Sequence, residues 1–571
     1  MKLNPLRLCI LLFLLNLNNS FVRAQSFVWA KSFSCENSDE TSSTVTDAAG
    51  NAYFSGSFYC PSVNIGGVGL NSPSGNNSYL AKYSTTGTLL WVKFGINTGY
   101  YPRCLALDDQ ANIYCVGTFS SHFIKFGNDS LPNTTGTSGN TNFYIVKYDS
   151  SGNYLWAENF GGNRDDAMEA LTTDNFGNIY LTGILHSDSL DLGSLMVQNP
   201  GLNLQSPVVI KFDSNGRALW ARPMRPSNIF PSNSYSISSD ANANVYVTGY
   251  FIADTLYVGD DTLVNTSYNT HTINLFVAKF DSAGNPQWAR QAGSQTGISY
   301  AVGTSIVTDA SANIYVGGSF MYTTHFDTIS ITSSGQSDFF VAKYDSSGTL
   351  LWVKGKGSND NDEITGLALD SRGNCFATGI YKNIFPFAST YISNASPGYF
   401  DFFVLEYSPN GTEMMGAEAG GLADDYSYSI ALDSAGNVFL AGYYESFYIQ
   451  LGSTILVNTN QTTNFIGEAI MAKFSYPAVG MSENNSTGIL VNLAPNPVQE
   501  SLQFNLNLPS ASDITLQLMN SFGQLLFEKH ISKQAAGEYT EAIDTGTLSS
   551  GIYFVNVSTG NGRWTRRIVK M

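Results

Sequence analysis

The sequence predicts an all-β protein, a seven-bladed β-propeller followed by a small C-terminal β-sandwich. Three observations carry that expectation. A turn of the form Asp-x-x-Gly/Ala-Asn recurs seven times, with its asparagine at Asn51, Asn112, Asn178, Asn244, Asn313, Asn374 and Asn437. Each turn is followed by an apolar run that ends, in six of the seven repeats, in one dipeptide pattern, and in the first five repeats then by a tryptophan segment. The segment that the seventh repeat lacks stands near the N-terminus instead.

The dipeptide is Lys-aromatic: Lys82-Tyr83, Lys147-Tyr148, Lys211-Phe212, Lys279-Phe280, Lys343-Tyr344 and Lys473-Phe474, with Glu406-Tyr407 in the sixth place. The tryptophans are Trp91, Trp156, Trp220, Trp288 and Trp352, and Met415 takes the next such position. The fifth repeat reads as four strands: residues 305–309, 313–318, 339–344 and 349–354. Asp345-Ser346-Ser347-Gly348 joins the last two, with residues suited to a tight turn. The near-continuous apolar character of the third strand predicts burial on both faces. Tandem four-stranded units suggest propeller blades or a solenoid. The seventh repeat stops after Phe474, and Phe27-Val28-Trp29-Ala30-Lys31 supplies the missing strand. A circular array uses such an arrangement, which also removes exposed strand edges. A solenoid has no reason for it.

Asp370-Ser371-Arg372-Gly373-Asn374, the run from Phe340 to Asp345, and Leu350-Leu351-Trp352 resemble the bacterial β-propeller repeat called the SBBP repeat, over roughly residues 27–475. The resemblance implies the fold and no single activity. Between strands two and three lies a smaller recurring feature: Phe126-Gly127 with Leu131, Leu192-Gly193 with Leu195, Val258-Gly259 with Leu263, and Leu451-Gly452 with Ile455. These predict inserted hairpins, serving as decoration or as a loop-rich recognition face.

Residues 476–489 have linker composition. Beyond them, 502–508 and 514–519 alternate, and 551–557 reads as another strand, which predicts a sandwich over 490–571. Ala494-Pro495-Asn496-Pro497, Asn520-Ser521-Phe522-Gly523-Gln524, Leu548-Ser549-Ser550-Gly551-Ile552-Tyr553 and the basic ending through Lys570 resemble the type A sorting domain of the type IX secretion system. That resemblance implies a Bacteroidetes-type host, the secretion machinery as partner, and delivery to the surface or the medium. It makes Pro495, Asn496, Pro497, Gly523, Gly551, Tyr553 and Lys570 recognition or fold positions.

The N-terminus reads as a signal peptide over 1–24. Lys2 and Arg7 precede a short apolar run, and Val22-Arg23-Ala24 provides small residues for cleavage between Ala24 and Gln25. No other segment approaches membrane length, so no transmembrane segment is expected. Formal charge is −17, and the acidity lies almost wholly before the sorting domain. A phosphate backbone would be repelled, which excludes nucleic acid as the expected partner. Five cysteines follow the signal segment: Cys35, Cys60, Cys104, Cys115 and Cys375. An odd number argues against a disulfide framework. Cys104 and Cys115 flank one repeat turn, and in a simple hairpin they would face each other as a disulfide.

Reactive groups do not converge in the sequence. His122, His186, His271, His325 and His530 share no metal-ligand spacing. There is no phosphate loop and no nucleophile elbow. The turn aspartates (Asp47, Asp174, Asp240, Asp309, Asp370 and Asp433) offer too few oxygens for calcium and suit turn capping. The recurrent Lys can reach that Asp across strand two. No catalytic residue, metal or cofactor is assigned. The expected function is a monomeric exported propeller that binds a glycan or protein without catalysis. The alternative is an extracellular polysaccharide lyase or hydrolase working in the channel.

Overall fold

The apolar third strands are the centre of each repeat. Asn77–Tyr83, Asn142–Tyr148, Ser206–Phe212 and Asp401–Tyr407 are buried at every position, their polar residues included. The computed structural model describes residues 26–570 except 36, 72–76, 97–101, 134–139, 202–204, 266–271, 295–299, 389, 395, 452–453, 460–465, 476–489, 495–497, 499, 509, 521–524, 549–550 and 560–561. The described residues are all-β and contain no helix. They form two compact units, Phe27–Ser475 and one containing Tyr476–Met571.

In the first unit the repeats form four-stranded sheets. Sheet 1 consists of Glu40–Thr46, Ala52–Phe58, Asn77–Tyr83 and Leu89–Ile96, in that order across the sheet. The first strands of sheets 2 to 6 are Pro102–Leu107, Ala167–Thr173, Ser232–Ser239, Tyr300–Thr308 and Glu363–Leu369. Sheet 7 takes Asp425–Leu432, Val438–Tyr444 and Glu468–Ser475 from one end of the unit and Ser26–Phe33 from the other. Each first strand lies against the next, and that of sheet 7 lies against that of sheet 1. The expected hairpins are present, for example Phe123–Phe126 with Asp129–Pro132 and Thr255–Val258 with Asp261–Val264. They dock on the outer side: Phe126 pairs with Gly95 of the preceding sheet's fourth strand.

Each repeat turn is held by its aspartate. Asp309 Oδ1 accepts the backbone N–H groups of Ser311 and Asn313, both at 2.9 Å, and Oδ2 accepts Asn313 Nδ2 at 2.8 Å. Asp108, Asp174, Asp240, Asp370 and Asp433 repeat this set. The expected Lys–Asp pairs form at 3.3–3.9 Å between Lys82 and Asp47, Lys147 and Asp108, Lys211 and Asp174, Lys343 and Asp309, and Lys473 and Asp433. An aromatic ring flanks each pair. Lys343 Nζ sits 4.6 Å from the Tyr315 ring centre, and Tyr114 donates its hydroxyl to Asp108 at 3.1 Å.

The same lysine joins neighbouring sheets. Lys279 Nζ donates to the Ser346 carbonyl in the third-to-fourth turn of the next sheet at 3.1 Å, and Trp288 Nε1 donates to that carbonyl at 3.2 Å. Gly348 in this turn has φ +81°, and a Cβ there would lie 2.8 Å from the Trp288 indole. Glycine is therefore required both for the backbone angle and for the close approach. Lys211 and Trp220 hold Ser282 in the same way, Lys343 and Trp352 hold Pro409, and Lys473 and Trp29 hold Thr85.

The expected Cys104–Cys115 disulfide is not formed; both are free thiols. The turn from Asp108 to Asn112 pairs Leu107 with Ile113, and the register it sets places Cys104 opposite Val116 and Cys115 opposite Leu105. The two side chains consequently pack in different cores, Cys104 toward sheet 3 and Cys115 toward sheet 1. Cys35 and Cys60 are the bonded pair, with Cα atoms 6.1 Å apart. They tie the segment after the N-terminal strand to the end of the second strand of sheet 1.

The second unit packs two sheets around one apolar core. Leu502, Phe504, Leu506 and Leu508 alternate inward along one strand and meet Ile514, Leu516 and Leu518 of the other sheet.

Lys343→Met should lower stability by about 2 kcal/mol, because a largely buried carboxylate loses its counter-charge. Combined with Asp309→Asn, the loss in urea unfolding should be smaller than the sum of the two single changes. Replacing Cys35 and Cys60 together by serine should cost about 3 kcal/mol in the same assay, whereas Cys104→Ser should leave the disulfide content unchanged in a thiol titration.

Candidate ligand-binding site

All seven first strands carry a β-bulge in the same register. The shifts fall at Thr41/Ser43, Pro102/Cys104, Met168/Ala170, Ser234/Ser236, Gly303/Ser305, Ile364/Gly366 and Ser427/Ser429. The extra residues are Ser42, Arg103, Glu169, Tyr235, Thr304, Thr365 and Tyr428. A bulge re-aims one side chain out of the ladder.

Three of these residues have a purely structural role. Ser42 donates to the Ser55 carbonyl at 3.3 Å, Thr304 to Ile364 at 2.5 Å and Thr365 to Ser427 at 2.8 Å. The position after the bulge also stitches first strands together. Ser43 Oγ accepts Leu105 N–H at 3.1 Å, Ser305 Oγ accepts Leu367 N–H at 3.0 Å, and Ser429 Oγ accepts Thr44 N–H at 3.2 Å. A small hydroxyl residue is what the bulge position needs. Arg103, Glu169, Tyr235 and Tyr428 depart from that need, and three of the four stand on consecutive sheets.

These departures interact. Arg103 Nη1 is ion-paired with Glu169; the Arg103 side chain is 38% exposed and that of Glu169 11%. Burial pushes the Glu40 carboxyl up to about 7, opposed by Ser57 and by the Arg103 charge. Burial raises Glu169 as well, opposed by Arg103 and by a hydrogen bond from Asn233. The rings of Tyr235 and Tyr250 lie 5.6 Å apart, in the field of Glu169. On sheet 6, burial alone pushes Glu363 up to about 7, and Tyr300 of sheet 5 lies in its field. On sheet 7, Tyr443 stacks on Tyr426 at 4.9 Å and meets Tyr428 at 5.7 Å. The arrangement joins flat aromatic faces, a donor fork and carboxyl groups that titrate near neutrality.

The sequence alone did not single out any of these residues. Their signal is nonetheless in the repeat: each bulge residue stands five positions before the turn aspartate, and a column of Ser and Thr interrupted by Arg, Glu and Tyr marks the site. Of the residues assigned from sequence, Ala24, Gln25, Pro495, Asn496, Pro497 and Gly523 lie outside the described residues. Gly551 pairs with Lys570, Tyr553 is buried opposite Ile568, and Val498 bridges to Lys570. The start and end motifs of the second unit thus meet at one place. Among the described residues the histidines form no cluster. The one metal-type grouping, Cys35, Asp39 and Cys60, contains the two disulfide sulfurs.

A cavity of about 700 Å³ lies elsewhere, between the outer hairpins of sheets 4 and 5, lined by Arg290, Gln291, His325, Asp327 and Tyr344 among others. Its polar groups are largely committed. Arg290 donates to Gly348, Ala289 and Ser347 carbonyls, Gln291 to Val264, and His325 Nδ1 is bonded to Ser330. The bulge positions are the better candidate, since Arg103 keeps exposed donors.

Residues 492–571 match the family described as the secretion system C-terminal sorting domain, and residues 416–443 match the β-propeller repeat. The C-terminal unit is a type IX sorting domain. A sorting domain of this family implies interaction with the secretion machinery and export to the cell surface or the medium. No helix among the described residues is long and apolar enough to cross a membrane. Among curated proteins, the chain is 24% identical to the uncharacterized WD repeat-containing protein L264 of Acanthamoeba polyphaga mimivirus, over 69% of this chain and 34% of that one. It is 30% identical to the regulatory protein FlaEY of Caulobacter vibrioides over 20% of this chain and 12% of that protein. The chain thus spans about a third or less of these relatives. Among solved structures, a protein of unknown function from Dyadobacter fermentans aligns with 80% of this chain and all of its own at 9% identity and TM-score 0.35. PorZ, a surface component of the type IX secretion system of Porphyromonas gingivalis, aligns with 95% of this chain and all of its own at 9% identity and TM-score 0.16.

Glu363 gives a pH dependence with a definite sign. Its folded pKa, about 7, lies above the ordinary glutamate value, so its protonated form favours the folded state. That contribution is complete below about pH 4.3 and is lost as pH rises through 7. Glu363→Gln should therefore flatten the fall in melting temperature between pH 5 and pH 8; an unchanged slope would show that the carboxyl is already ionised at pH 5.

Proposed function

We propose that this protein is an exported, monomeric, closed seven-bladed β-propeller that binds a glycan or protein at one mouth of its central channel without catalysing a reaction. The signal peptide ends at Ala24, the propeller spans 25–475, a linker spans 476–489, and the sorting domain begins at 490. Closure is supported by the bonds that sheet 7 makes to sheet 1: Thr46 Oγ1 to the Leu432 carbonyl at 2.7 Å, and Lys473 and Trp29 to Thr85. In a closed ring the first strands line the channel, and their bulge residues face it. The observation that carries the binding assignment is the run Arg103, Glu169, Tyr235 at positions where the fold needs only Ser or Thr. Reactive polar groups on a rigid scaffold suit recognition.

A second reading, an extracellular polysaccharide hydrolase or lyase, is favoured by one observation. Glu40 and Glu363 are pushed up to about 7, where a carboxyl can act as acid or base near neutral pH. Polysaccharide breakdown measured as reducing ends or unsaturated products, abolished by Glu363→Gln, would establish it over simple binding.

Export is tested by mass spectrometry of culture supernatant, cell surface and periplasm. The full-length protein should appear outside the cell beginning at Gln25. A chain lacking residues 490–571 should accumulate in the periplasm. Equal export of both would make the C-terminal unit dispensable for sorting and remove the secretion part of the proposal.

A further inference from the structure

We infer that the ligand of the channel mouth is a saccharide without acidic groups, held between the Arg103–Glu169 pair and the Tyr235–Tyr250 rings. This rests on the mouth being the binding site, as proposed above. The argument is one of charge and shape. The seven first strands contain one basic residue, Arg103, and, apart from the fully buried Asp425, three acidic ones, Glu40, Glu169 and Glu363. Arg103 is already ion-paired to Glu169 and lies in the field of Glu40. The first strands leave no unpaired positive charge for a uronate, sulfate or phosphate group, and an anionic polymer would meet more carboxyl groups than cations along them. The pair still offers guanidinium N–H donors beside carboxylate acceptors, which matches the alternating donor and acceptor character of neighbouring sugar hydroxyls. Tyr235 and Tyr250 are half-buried and present flat apolar faces with polar tips, the combination that covers a pyranose ring while binding its hydroxyls. Tyr426, Tyr428 and Tyr443 add aromatic surface on sheet 7.

The outer cavity between sheets 4 and 5 provides the contrast. Its Arg290, Gln291 and His325 side chains are engaged in bonds within the chain, so His325→Ala serves as the unaffected control.

The test uses the mature chain, residues 25–571, in affinity electrophoresis and calorimetry with soluble β-glucan, xylan, mannan and polygalacturonate. The wild type should bind at least one neutral polymer and not polygalacturonate. Arg103→Ala and Tyr235→Ala should weaken that binding at least tenfold, with melting curves showing that both variants fold. Glu169→Gln, which frees the guanidinium, should gain affinity for polygalacturonate. Binding of polygalacturonate by the wild type, lost in Arg103→Ala, would overturn the neutral-ligand inference while leaving the mouth as the site. Neutral-polymer binding unchanged by Arg103→Ala and Tyr235→Ala, or lost in His325→Ala, would overturn both the inference and the placement of the site. Absence of binding to all three neutral polymers would overturn the inference.

Discussion

The structure depends on a buried lysine that serves two sheets at once. Within its own sheet it pairs directly with the turn aspartate beside an aromatic ring; toward the next sheet it donates to a turn carbonyl. A buried lysine without partners is costly, so each arrangement requires the other. The tryptophan beside it fixes the same carbonyl and covers the turn glycine, so the sheet-to-sheet spacing is set by contact between an indole and a residue that has no side chain. Apolar packing alone would hold the sheets together without fixing their register. This latch does fix it, because a slip by one residue would bury both an unpaired charge and an unpaired carbonyl.

The latch explains the places where the repeat departs from itself. Sheet 6 carries Glu406 in place of lysine and Met415 in place of tryptophan, and the two face each other as Lys343 and Trp352 do. Sheet 7 is built from strands at opposite ends of the unit, so no turn joins its third and fourth strands. There is no turn carbonyl for a lysine or an indole to reach. Asp370 of sheet 6 finds its cation in Arg372, two residues on, at 2.9 Å. The seam between sheets 6 and 7 therefore lacks the polar link that the other seams have, and side-chain packing together with the Thr365–Ser427 and Thr378–Ser427 hydrogen bonds holds it.

Much of this was legible in the sequence, because strand alternation, turn chemistry and the Lys–Asp pairing are local or nearly so. The repeat positions of Asn51 to Asn437 located the turns, and the misplaced Phe27–Lys31 segment located the fourth strand of sheet 7. The cysteines were not legible. Cys104 and Cys115 flank one turn, but the register set by the five residues from Asp108 to Asn112 leaves them one position apart and so on opposite faces. The inserted residue of each first strand is why the candidate site was missed: a bulge is invisible to a period-two reading, so Arg103, Glu169 and Tyr235 read as ordinary strand residues. The sorting motifs were recognisable because they are short and ordered in sequence, whereas Arg103 and Glu169 are brought together only by the packing of adjacent sheets.

One consequence concerns where such a protein can vary. The second and third strands are buried on both faces and carry the latch, so substitution there disturbs packing or strands a charge. The outer hairpins are tied to the preceding sheet at Phe126 and His325. The bulge position is different. Its side chain leaves the ladder, its backbone bonds are already rearranged, and the stitching between first strands is carried by its neighbours Ser43, Ser305 and Ser429. Serine or threonine there adds a hydrogen bond, yet arginine, glutamate or tyrosine costs the sheet little. In the closed ring proposed above, seven such positions face inward from seven rigid supports, so a binding surface can be changed residue by residue without altering the fold. The acidic, aromatic set found here is one choice among those the scaffold permits, and it is the placement of the bulges, not the strands themselves, that makes the choice possible.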